Sequence, residues 1–156
     1  MRLSSAIITA LLLLAGCESA AVSQAKTPSA SFPSGSSTMV GSQGNIGILG
    51  PDFVAGKGNK YMWHFWGAKE ELDKSPFRVE AINLETTEKT KALVAHAGTP
   101  QEEMVWEYDM PPAGPNNGAD AHIPSSLKIP SGGLWRIDAY LGGKLKGSIV
   151  VDVKNR

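Results

Sequence analysis

The sequence is short of cysteine, histidine, basic runs and long hydrophobic runs, and each shortage narrows what the protein can be. One cysteine, Cys17, excludes any internal disulfide. Three histidines, His64, His96 and His122, include no pair at the i, i+2 or i, i+4 spacing that pre-positions zinc ligands, so neither a metal nor a cofactor is expected. Lys plus Arg number 15 against 15 Asp plus Glu, and no basic run exceeds two residues. Nucleic acid is therefore not expected as a partner, because phosphate recognition needs a concentrated basic face. No apolar run approaches the ~20 residues that span a bilayer.

What is present begins at the N-terminus. Met1-Arg2 followed by the eleven-residue stretch "AIITALLLLAG" has the charge and length of a secretory signal. It runs into "LAGC" at residues 14–17, which resembles a bacterial lipobox. The resemblance implies a thioether lipid on Cys17 and removal of residues 1–16; the alternative is an ordinary signal peptide with a stray thiol. A lipidated cysteine would escape the oxidation to which a lone secreted thiol is exposed. Multiple acyl chains hold a protein on a membrane durably. Glu18 carries no Asp-type retention signal, so a Gram-positive cell surface, or the outer membrane of a Gram-negative cell, is expected.

Residues 17–38 carry the Cys and then mostly Ser, Ala, Thr, Pro and Gly, and are expected to be a flexible tether with Phe32 free. Such a tether reaches roughly 25 Å. From residue 39 to 156 the pattern changes to short alternating runs between turn residues. "AKEELDKS" at 68–75 is the best helical candidate, one or two turns anchored by Leu72. In "SGGLWRIDAYLGGKLKGSIVVDV", Trp135, Ile137, Ala139 and Leu141 alternate with Arg136, Asp138 and Tyr140, and Leu145, Gly147, Ile149, Val151 and Val153 alternate with polar positions, so both sets are expected to face inward. Matching the inward sets favours a three-residue loop that pairs Tyr140 with Lys144, Ala139 with Leu145 and Asp138 with Lys146. Seven or eight strands at this spacing predict an all-β, immunoglobulin-like antiparallel sandwich.

"GNIGIL", "NKYMWHFWG" and "SGGLWRIDAYLGGKLKGSIVV", together with the lipobox, resemble an uncharacterised family of Gram-positive surface lipoproteins with a C-terminal immunoglobulin-like domain. The resemblance implies location and architecture, and brings no activity with it.

Candidate chemistry is thin. In "KYMWHFW", Tyr61, Trp63 and Phe65 point to one face and Met62, His64 and Trp66 to the other. The second row is either covered, by the Gly-rich segment 41–53 or the short helix, or open as an aromatic platform for a sugar, peptide or lipid headgroup. The loop "PPAGPNNGAD" offers Asn116, Asn117 and Asp120 as a recognition surface or an ordinary Asn-Gly turn. No nucleophile elbow occurs, Ser125 and Ser126 lie near His122 as neighbouring strand residues often do, and Glu70/Glu71 and Glu102/Glu103 alternate rather than pair. The expectation is a non-catalytic binding module for a protein or cell-wall ligand. The alternatives are a carbohydrate- or peptidoglycan-binding platform and, further off, a small hydrolase.

Overall fold

In a computed structural model, which describes residues 26–156, the chain forms two antiparallel sheets packed face to face. The expected signal peptide, Cys17 and the first part of the tether lie outside the described residues. The larger sheet has the order β1 (Ser31–Ser34), β2 (Ser37–Ser42), β3 (Ile46–Leu49), β4 (Asn59–Phe65), β10 (Ala121–Leu127), β7 (Leu93–Ala95), β8 (Glu103–Val105). The smaller sheet has the order β12 (Lys144–Val153), β11 (Gly133–Leu141), β5 (Phe77–Asn83), β6 (Lys89–Lys91), with β9 (Glu107–Tyr108) beside β5. The one helix among the described residues, α1 (Lys69–Leu72), is a single turn held by Leu72, which is buried as its apolar character predicts.

The inward rows build the core. Trp63, Phe65, Phe77, Ile123, Trp135, Ile137 and Ile149 are buried, with Trp63 stacked on Phe65 and edge-on to Phe77. Trp63 also donates its Nε1–H to Ser125 Oγ at 3.0 Å, which satisfies the only polar atom that ring brings inside.

Among the described residues twelve strands replace the expected seven or eight, for two reasons. First, "KALVAHA" and "EMVWEYDM", each expected as one strand, change sheet at Ala92 and at Trp106, and β6 reaches back into "ETTEKT", expected as a turn, so each becomes two short strands. Second, part of the expected tether is folded. Ser31–Ser42 makes the β1–β2 hairpin, and Phe32 is buried rather than free. Ser29 anchors the start of the domain to β12 by donating its N–H to Val150 O (2.8 Å) and accepting Val150 N–H on Oγ (2.9 Å). A small, polar composition misled the sequence reading, because two large side chains, Phe32 and Met39, suffice to hold the hairpin down.

The three-residue loop is also corrected. Gly142 (φ 58) and Gly143 (φ 84) occupy a two-residue turn with Leu141 opposite Lys144 and Tyr140 opposite Leu145. Both positive angles are what a type I′ hairpin turn requires. The parity conflict is real, but a bulge resolves it. Lys146 is the extra residue, and from Ala139–Gly147 onward the inward sets meet, as in Ile137–Ile149. Leu145 is consequently turned out to 49% exposure, Asp138 faces Ser148 rather than Lys146, and Lys146 Nζ reaches Glu71 Oε1 at 3.2 Å.

Candidate functional site

Outward residues of β4 and β10 start the site. His64 and His122 are direct partners across these strands, and the β3 residue opposite His64 is Gly47. With no side chain at Gly47, the β1–β2 hairpin folds across the outer face there. A Cβ on Gly47 would meet Phe32 Cζ at 2.9 Å and Met39 Sδ at 3.2 Å. Phe32 packs edge-on to Trp66 with ring centroids 5.9 Å apart.

The loop from Pro111 to Asp120 closes the same face from the other side. Ala113 pairs its backbone with His122 in both directions (2.7 and 3.1 Å), and His122 Nδ1–H donates to Gly114 O at 2.7 Å. Asn117 Nδ2 donates to His64 Nε2 at 3.2 Å, while Asn117 O accepts Ser34 Oγ–H at 2.7 Å from the hairpin tip. Trp66 Nε1–H donates to Gly118 O at 2.9 Å, and Gly67 N–H donates to Asp120 Oδ2 at 2.9 Å. The two sets singled out separately in the sequence, Met62/His64/Trp66 and Asn116/Asn117/Asp120, are therefore one assembly.

That assembly is closed, so an open Met62/His64/Trp66 platform is corrected. His64 is fully buried, and Met62 and Trp66 are half-buried. The covers are the hairpin, through Phe32, Ser34 and Met39, and the 111–120 loop, rather than the short helix or the Gly-rich segment.

Burial lowers the proton affinity of His64 below the ordinary 6.5, and His122 pushes in the same direction. Its Nδ1 has no hydrogen-bond partner among the described residues. The unfolded chain thus binds the extra proton between the depressed value and 6.5, so this contribution to stability is complete above that interval and declines as pH falls through it. Urea midpoints should drop from neutral to mildly acid pH, and His64→Gln should flatten that part of the dependence. An unchanged slope in the variant would remove His64 as its source.

Beside the closed face lies a cleft of about 340 Å³, between α1 and the loop, lined by Gly67, Lys69, Leu72, Pro112, Pro115 and Asp120. Its floor is apolar, and its polar groups are Asp120 and the exposed Lys69–Asp73 pair at 2.6 Å. Gly67 (φ 151), on the rim, has a backbone conformation that favours glycine.

Other candidates are accounted for differently. Ser125 faces inward on Trp63 while His122 faces outward, so they sit on opposite sides of β10. His96 lies in the turn after β7, and no group of three metal-ligating side chains forms among the described residues. Glu71 binds Lys146 and Glu102 binds Lys128.

One carboxylate pair escaped the sequence reading. Glu80 and Asp138 face each other across β5 and β11, both buried. Arg78 forks onto Glu80 (3.0 and 2.8 Å) and Arg136 onto Asp138 (2.9 and 3.0 Å). Burial pushes the Glu80 carboxyl up, but Lys89 and Arg78 outweigh it and hold it below its ordinary range. A carboxylate so neutralised is a poor proton shuttle. The repeated Arg-x-acid spacing within each strand was the available signal, since i and i+2 share a face.

A family profile described as a domain of unknown function, DUF4871, matches residues 19–151. The chain belongs to the DUF4871 family. No curated protein matches the chain. The DUF4871 domain is similar in structure to a crystallised protein from Bacillus anthracis carrying the provisional description of a lipoprotein. The TM-score is 0.68 at 18% identity, over 83% of this chain and 87% of that one. At that identity the likeness is one of fold, and it agrees with the all-β sandwich described above.

Proposed function

We propose that the protein is a lipoprotein anchored through Cys17 on the outer face of a bacterial membrane, of Gram-positive type, and that it acts by binding rather than catalysis. The anchor rests on "LAGC" at residues 14–17, and the provisional lipoprotein description of the Bacillus anthracis neighbour is in keeping with it. With the domain starting at Ser29, eleven residues separate it from Cys17. Even fully extended, eleven residues span no more than about 40 Å, so the domain works close to the membrane.

The binding reading rests on the cleft beside α1. Its volume of about 340 Å³ is at the small end for ligand sites, suited to one sugar ring or a short peptide of the cell wall. Apolar walls at Leu72, Pro112 and Pro115 would take the body of such a ligand and Asp120 its polar group. The sugar-platform alternative is left with the half-buried Trp66 ring rather than a row of three.

Trp66 touches the loop that walls the cleft, so its fluorescence should shift when soluble wall fragments are titrated in, and Asp120→Ala should weaken the response. A flat response from a folded protein would remove the cleft as the site. The anchor is tested separately: labelled palmitate should appear on the wild-type protein and be absent from Cys17→Ser.

A further inference from the structure

Asparagine occurs at positions 45, 59, 83, 116, 117 and 155, and only Asn117 precedes a glycine. Asn117 (φ 48) and Gly118 (φ 80) are the central residues of a tight turn. It is closed by Asn116 N–H to Ala119 O (3.2 Å) and Ala119 N–H to Asn116 O (2.9 Å). Gly118 is exposed, and its own N–H has no hydrogen-bond partner among the described residues. Lacking a Cβ, it leaves its nitrogen open to the preceding side chain.

The geometry points to Asn117 as a site of spontaneous covalent modification, gated by the β1–β2 hairpin. The Gly118 main-chain nitrogen gives its proton to solvent base and attacks Asn117 Cγ. A new C–N bond closes a five-membered succinimide; the Cγ–Nδ2 bond breaks, and Nδ2 takes a proton from solvent and leaves as ammonia. One water then opens the ring at either carbonyl, giving aspartate or isoaspartate. Water enters, ammonia departs, and nothing is oxidised or reduced.

Ring closure must swing the Asn117 side chain off His64 and turn the 117–118 peptide. The closed hairpin opposes both motions. Ser34 Oγ grips Asn117 O at 2.7 Å, and Gly35 sits so near that a Cβ on it would lie 2.9 Å from Asn117 C. The reaction therefore proceeds from molecules whose hairpin has opened locally, a low-energy fluctuation compared with global unfolding.

The isoaspartate product holds the latch open. An aspartate keeps the His64 contact by accepting Nε2–H once the ring proton leaves the unpartnered Nδ1. Isoaspartate instead adds a main-chain carbon, which a two-residue turn cannot absorb while Asn116 and Ala119 stay paired. Trp66 then loses its acceptor, Gly118 O, and the Met62/His64/Trp66 face becomes accessible. Asn117 thus works as a one-way switch from a sealed to an open aromatic surface.

The test is peptide mapping of the full-length protein after incubation in mildly alkaline buffer. A one-dalton gain with isoaspartate, confined to the peptide holding Asn117, is expected, and its rate should rise several-fold in Ser34→Ala. No gain at Asn117, or an equal gain at the other asparagines, overturns the site; an unchanged rate in Ser34→Ala overturns the gating. The aged wild-type protein should show red-shifted tryptophan emission, and if it does not, the opening of the face is wrong. The measurement needs no wall ligand and no lipid, so it stands or falls apart from the proposed function.

Discussion

Trp63→Ala is expected to destabilise the domain by about 3–5 kcal/mol, in the range of the largest losses from a core side chain. Trp63 has no exposed surface, stacks at 6.3 Å on Phe65, and meets Phe77 edge-on at 5.7 Å. Its removal opens a large cavity between the sheets and also strands Ser125 Oγ, itself buried, without its donor. Chemical denaturation followed by circular dichroism measures the loss. Trp66→Ala, three residues along, provides the comparison. Trp66 lies half-buried on the outer face, so its loss should cost no more than about 1–2 kcal/mol, from one hydrogen bond and partial packing. Equal losses for the two would mean that the faces of β4 are misassigned.

Gly41→Ala is expected to cost about 2–3 kcal/mol, from backbone strain together with overlap that no side-chain rotation relieves. Gly41 has φ 151, and a Cβ there would lie 2.3 Å from the main-chain oxygen of Ile46. β2 leaves β3 just before this point in the chain, after three paired positions, to carry the hairpin over Gly47. The damage should be local. Proteolysis within residues 31–42 should accelerate and Trp66 emission should shift, while the Trp63 core keeps its signal. A variant that melts as one unit with unchanged protection of residues 31–42 would show that the hairpin is not hinged there. Gly44→Ala is a fitting control, since a Cβ at Gly44 meets no other atom and only its φ of 77 is unfavourable.

The first of these expectations concerns β4, whose alternating pattern was the plainest signal in the chain. Period two fixed which of its residues face the core, because a strand offers only two directions. The same regularity made the all-β class and the antiparallel C-terminal hairpin legible, along with Leu72 as the anchor of one helical turn. Cys17 in "LAGC" is a local chemical pattern that needs no fold to be read.

What the sequence could not reveal depends on partners distant in the chain. Whether Met62, His64 and Trp66 are covered is decided by Ser34 and Asn117, which are 83 residues apart and meet through one hydrogen bond. The register of β11 against β12 was underdetermined, because a loop and a bulge satisfy the same parity. Two adjacent positive-φ glycines and a partner for Lys146 in Glu71 settled it. Glu80 and Asp138 became neighbours only when β5 and β11 paired. Local pattern determines which way a side chain points, since that follows from backbone geometry alone. What it meets there is set by long-range pairing, and that energy belongs to the tertiary structure.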